Sequence, residues 1–150
     1  MRWHVATRHR EDHEDPRAHE VERELPWLGL EAAGPVHVSR LFLLGGAELD
    51  QAGAERLAAE VLADTVCETF TVEPHTDDPT PCDRTVTVCR RPGVTEPWAG
   101  SIARAAERLG IPLEEIRCGT AYRFEGEADA ADVKRIAERL IANDVIEEIY

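Results

Sequence analysis

The search for chemistry starts at HREDHED, His9 to Asp15, which sets two histidines four apart among carboxylates, with Glu20 close behind. Zinc and similar ions favour such ligands. Gripping one ion from positions i and i+4 requires a helix, however, and this stretch precedes Asp15-Pro16, an acid-proline pair that begins a helix. It reads as a solvated turn. Cys82 and Cys89 with His75 make at most a partial metal site, because no fourth ligand stands at a usual spacing. The four cysteines, Cys67, Cys82, Cys89 and Cys118, form neither a CxxC pair nor the dense pattern of a secreted disulfide scaffold, so they read as free thiols. The sequence contains no glycine-rich phosphate loop, G-x-S-x-G elbow or H-E-x-x-H pair, and nothing nominates a nucleophile. One contact site stands out: Arg90, Arg91, Pro92 and Gly93 form a basic turn in an acidic chain, suited to touching a partner or a phosphate.

The composition narrows the function classes. With 43% apolar residues the chain of 150 residues is globular, and no apolar run approaches the ~18 residues of a membrane span. The N-terminus MRWHVATRHRED lacks the apolar core of a signal peptide, so the expected location is the cytoplasm. A formal net charge of −13 argues against nucleic-acid binding, which relies on clustered cations to displace counterions.

The elements that would position these residues occur twice. EVLADTVCETF, from Glu60, lies on LIANDVIEEIY, from Leu140, with Ala63 on Ala142, Asp64 on Asn143, Val66 on Val145 and Glu68 on Glu147. Upstream, VHVSRLFLL from Val36 lies on IRCGTAYRF from Ile116, and Glu14-Asp15-Pro16 lies on Thr95-Glu96-Pro97. Ala54, Leu57, Ala58, Val61 and Leu62 form a helical stripe that recurs as Val133, Ile136, Ala137, Leu140 and Ile141. Asp15 or Glu96 caps an earlier helix with proline in its first turn, and Pro26 ends or kinks the first of these early. Ala18, Val21 and Leu25 face inward from one, and Trp98, Ile102, Ala105, Ala106 and Leu109 from the other. Asp64 and Asn143, just past helix ends, suit left-handed caps.

Strands at Trp3 and Thr85 open the two copies, so each is β-α-β-α-β. The expected organisation is a first repeat over 1–73, a proline-rich linker over 74–83 and a second repeat over 84–150. A unit of this size is marginal alone, since it buries little of its surface and leaves strand edges unpaired. The fold class is therefore α+β: two repeats in one chain forming a pseudo-dimer, with helices on one face of antiparallel sheets.

The second copy resembles PurS, the small component of phosphoribosylformylglycinamidine (FGAM) synthase. VTVCRRPGVTEP, from Val86, is similar to the family's strand followed by lysine-x-Gly-Val-x-Asp-Pro. IRCGTAYRF, from Ile116, resembles its Val-Arg-x-Gly-Lys strand, and LIANDVIEEI, from Leu140, resembles its Leu-Leu-Ala-Asn-x-Val-Ile-Glu-Asp-Tyr ending. Thr120 stands where the family favours lysine, and Arg40 holds the matching place in the first copy. That copy is a degenerate version of the pattern, keeping Asp15-Pro16, Ala63, Val66 and Glu68.

The resemblance implies a non-catalytic role in purine biosynthesis. It implies a module, as a subunit or an N-terminal domain, that bridges the synthetase (PurL-like) and glutaminase (PurQ-like) parts of a C–N ligase. The ligase turns FGAR, ATP and glutamine into FGAM, ADP, phosphate and glutamate. No cofactor belongs to this chain; ATP and magnesium belong to the complete synthase. The resemblance leaves room for further self-association, and the second repeat's early stop at Tyr150 suggests a reading frame that continues. A different class of function is a regulatory module in which two α/β repeats clasp an amino acid or nucleotide at their interface, as ACT-like domains do.

Overall fold

The computed structural model describes residues 1–76 and 84–150. Most of the expected linker, 77–83, lies outside them, as does Cys82.

The first repeat runs β1 (Arg2–His9), α1 (Pro16–Glu24), β2 (Val36–Gly45), α2 (Gln51–Leu57) and β3 (Glu68–Pro74). The second runs β4 (Thr85–Arg90), α3 (Ala99–Arg108), β5 (Glu115–Phe124), α4 (Ala130–Ile136) and β6 (Glu147–Ile149). The strands form one six-stranded antiparallel sheet in the order β3-β1-β2-β5-β4-β6, rather than separate sheets. That order is its own mirror under exchange of the repeats. In the central β2–β5 ladder Arg40 pairs with Thr120. These two residues are also equivalents in the repeat, so the pseudo-twofold passes through their pair.

Strand alternation assigns one face of the sheet to the helices. Trp3, Val5, Val36, Val38, Phe42, Leu44, Val86 and Phe124, all on that face, are buried. The core above it divides into two clusters, and each draws on both repeats. One joins α2, through Ala54 and Leu57, to Ile102 and Ala106 of α3. The other joins Val21 of α1 and the following Leu25 to Val133 and Ile136 of α4. The first helix of each repeat thus packs beside the second helix of the other. Each fully buried leucine or isoleucine contributes about 1.5–3 kcal/mol of hydrophobic stabilisation, so neither repeat keeps its core if separated.

Two matched glycines permit the interlock. A Cβ on Gly126 would run into backbone of Ala32, Ala33 and Gly34, and one on Gly46 would lie 3.0 Å from the Pro112 carbonyl oxygen. At each place a turn of one repeat presses on the α–β connection of the other, through Gly126 N–H to Ala33 O at 3.0 Å and Glu114 N–H to Gly45 O at 2.8 Å.

Local signals act largely as their chemistry dictates. The Asp15 carboxylate accepts the Arg17 N–H at 3.0 Å with Pro16 in the first turn, and α1 gives way at Leu25 to a 3₁₀ turn containing Pro26. Glu96 accepts the Trp98 N–H in the same manner, but α3 begins only at Ala99. Trp98 accordingly stays outside the inward stripe and is 54% exposed, a correction to its expected burial. Asp64 and Asn143 also differ from expectation: no residue other than glycine has a positive φ among the described residues. Both helices widen into a π turn closed by Ala63 N–H to Ala58 O and Ala142 N–H to Ala137 O, each 2.9 Å. The chain then extends at Ala63 and Ala142, so each side chain opens an Asx turn, accepting from Val66 N–H or Val145 N–H at 3.1 Å.

Candidate functional site

The basic turn forms as its residue types require. Arg90 ends β4 opposite Glu147, Arg91 N–H donates to Ile146 O at 2.9 Å, and Val94 N–H donates to Arg91 O at 3.0 Å. Pro92 and Gly93 fill the central positions, with Gly93 at φ +85°, as a type II turn demands. Arg91, Pro92 and Gly93 are exposed. The first repeat turns at the equivalent place without proline or glycine: Arg10 N–H donates to Cys67 O at 2.8 Å and His13 N–H to Arg10 O at 2.9 Å. Asp12 replaces Gly93 there at a negative φ. HREDHED is thus the end of a strand and a turn. His9 Nδ1 lies 3.1 Å from Glu14 O, and His13 Nδ1 lies 3.0 Å from the Asp12 carboxylate. Among the described residues no three His, Cys, Asp or Glu side chains gather in metal-binding geometry.

The turn leads into a cavity of about 280 Å³ on the helix side of the sheet, beside the pseudo-twofold. Its walls include Arg40, Arg90, Glu96, Trp98, Thr120 and Glu147. The sequence marks Arg90 on its own and Arg40 and Thr120 as matching positions; what brings the three together is the β2–β5 and β4–β5 pairing, which periodicity does not reveal.

The two sides of the axis meet this cavity with different charges. On the first-repeat side Arg40 reaches across the sheet, donating from Nη2 to Glu68 Oε2 at 2.8 Å and to Leu62 O at 3.1 Å. Glu68 is 4% exposed and also accepts the Asp64 N–H at 2.8 Å. Arg17 closes a second pair with Asp15, through Nη2 to Oδ2 at 2.9 Å. Burial works against ionised Asp15, yet the Arg17 hydrogen bonds and charge prevail and hold its pKa below the usual value. On the second-repeat side Glu147 accepts the Asn143 N–H at 2.8 Å, as Glu68 does from Asp64, but Thr120 is too short to repeat the reach of Arg40. Trp98 stands where Arg17 does, so Glu96 too lacks a guanidinium. Among the described residues neither Glu96 nor Glu147 has an ion pair, and Arg90 has none. Trp98 instead lies with its ring centroid 5.5 Å from the Arg40 guanidinium carbon.

Burial drives the Cys118 thiol up to about 12 and raises Cys89 as well. A thiol so rarely ionised is a poor nucleophile. The arrangement is one of fixed, opposed charges beside aromatic and apolar walls, which suits binding.

No curated protein matches the chain. A family model does: PurS, phosphoribosylformylglycinamidine (FGAM) synthase, over residues 83–150. The match takes in the basic turn, the central strand β5 and the closing turn and strand, and links this part of the molecule to FGAM synthase and purine biosynthesis. The matched stretch resembles PurS, and its described part, residues 84–150, is built into one sheet with a preceding repeat of the same β-α-β-α-β plan.

Proposed function

We propose that the chain is a non-catalytic assembly module of FGAM synthase, with a front repeat over 1–73 and a rear repeat over 84–150 acting as one body. The observation that carries this is the PurS match in a half that shares its sheet and both its cores with the other half. Such a body suits the task of fixing two partners in register, because one continuous sheet joins all six strands.

Its partners are the synthetase (PurL-like) and glutaminase (PurQ-like) parts, and its place of work is the cytoplasm. The complete enzyme uses ATP and magnesium; the module holds the site that releases ammonia in line with the site that consumes it, a contribution of positioning. Contact runs through the turn Arg90-Arg91-Pro92-Gly93, whose type II geometry presents Arg91 to solvent, while the charge of −13 complements basic surface elsewhere on a partner.

The test is reconstitution. Added to the cognate synthetase and glutaminase, the chain should raise glutamine-dependent FGAM formation and leave ammonia-dependent formation unchanged. Equal glutamine-dependent rates with and without it refute the assignment. Exchanging Arg91 for glutamate should weaken that stimulation about tenfold if the turn carries contact energy typical of an interface charge.

A further inference from the structure

The two sides of the pseudo-twofold differ by two cations, and the difference specifies a ligand. Glu68 holds the Arg40 guanidinium at 2.8 Å, and Asp15 holds that of Arg17 at 2.9 Å. The equivalent carboxylates, Glu147 and Glu96, both line the cavity and have no cation, since Thr120 and Trp98 occupy the positions of Arg40 and Arg17. The second side gains one positive charge in return: Arg90 stands where the first repeat has His9, opposite Glu147 in the ladder, and no side-chain hydrogen bond or ion pair engages it among the described residues. Two carboxylates and one guanidinium without an ion pair among the described residues therefore converge on a half-open space next to Val88, Phe42 and Cys118. Glu147 and Glu96 each accept one backbone N–H, and the two further guanidinium groups in the wall, Arg40 and Arg17, are held by Glu68 and Asp15.

We propose that this cavity binds a free cationic α-amino acid of the arginine type. Its guanidinium occupies, at Glu147, the place that Arg40 takes at Glu68. The Ile141 carbonyl is the counterpart of Leu62 O as a further acceptor, the α-ammonium lies toward Glu96, and the α-carboxylate pairs with Arg90. The aliphatic stem lies against Val88 and Cys118. Arg40 and Arg17 in the wall are already compensated by Glu68 and Asp15, so a neutral or acidic amino acid leaves a carboxylate uncompensated and a simple anion meets two unpaired like charges, which selects the cationic zwitterion. A cavity of about 280 Å³ is at the small end of ligand sites and fits one amino acid. The bridging role does not require this site, and the inference does not depend on it.

The experiment titrates the intact chain with L-arginine up to about 10 mM by calorimetry, while following the Trp98 indole resonance. Citrulline, which has no guanidinium charge, and agmatine, which has no carboxylate, serve as controls. Saturable binding of arginine with a shift confined to the Trp98 indole is expected, with citrulline and agmatine at least about tenfold weaker. In T120R the new side chain should fill the cavity as Arg40 fills its counterpart and reduce arginine affinity by at least about tenfold without lowering Tm. If that variant does not fold, E147Q, at a half-buried rim position, should give the same loss. Absence of saturation in the unmodified chain overturns the proposal. So do equal affinities for arginine and citrulline, or undiminished binding in a folded T120R or E147Q.

Discussion

The front and rear halves agree in backbone and differ in charge. Turns at Arg10 and Arg91 close with matching hydrogen bonds, Asx turns at Asp64 and Asn143 are bond-for-bond equivalents, and Ile102 and Ala106 occupy the places of Val21 and Leu25. The front's Arg40–Glu68 and Arg17–Asp15 pairs have no rear counterparts. The plan is thus carried by apolar periodicity, strand register and turn geometry, while ion pairs are free to diverge. This fits their energetics: desolvation offsets much of the attraction within a buried pair.

The harshest test of the equivalence is to separate the halves. Residues 84–150 alone lose the α2 cover over Ile102 and Ala106 and the β2 partner of β5, and should show no cooperative unfolding as a monomer. The loss is the whole stability of a domain, about 5–15 kcal/mol. A melting curve recorded with sedimentation would expose the error if a monomeric half folded cooperatively.

Matched truncations sharpen the comparison. Leu57 and Ile136 are equivalent and both 0% exposed, so L57A and I136A should each cost about 2–5 kcal/mol. Urea denaturation should place the two within about 1 kcal/mol of each other if the cores are interchangeable. The charged positions should behave oppositely. E68A strands Arg40 beside a buried backbone and should cost about 3 kcal/mol, whereas E147A, with no cation to strand, should cost under about 1 kcal/mol. Comparable losses would show that the asymmetry has no energetic weight.

The smallest effect is one component of the alkaline pH dependence, set by Cys118, which replaces Val38 of the front. Its folded pKa is raised from 9.0 to about 12, by burial first, then by Glu96 and Cys89, with Arg40 opposing. Below pH 9 the thiol is neutral in both states and the full stability is present. As pH rises from 9 toward about 12, the unfolded chain ionises first and stability falls. C118V should remove this component from the alkaline slope, and a midpoint that declines equally above pH 9 in both proteins would contradict it.

Much of the plan was legible in the sequence because duplication displays every constraint twice. The stripe from Ala54 to Leu62 and its copy from Val133 to Ile141 fixed two helices, and Asp15-Pro16 fixed a third. The crosswise packing was not legible: periodicity says that Val21 is buried but does not say that Val133 covers it. Trp98 was misassigned because its spacing continues an apolar stripe, although the turn at Pro97 delays the helix by two residues. The left-handed caps at Asp64 and Asn143 were a sound local preference overridden by the π turns, which deliver the chain in an extended state. The repeat already equated Thr120 with Arg40; the cavity was hidden because periodicity does not say that these positions reach the carboxylates Glu147 and Glu68, which the strand register and the turns bring beside them.

The reciprocal sharing of helices bears on how the molecule is made. Synthesis from the amino end releases α1 long before α4, its cover; the contact between Arg135 and Leu28 joins residues 107 positions apart. Until then the apolar side of α1 is exposed and the edge of β2 is unpaired, a state vulnerable to sticking. Closing such distant contacts is slow, so the nascent front half waits as an incomplete sheet rather than as a finished domain.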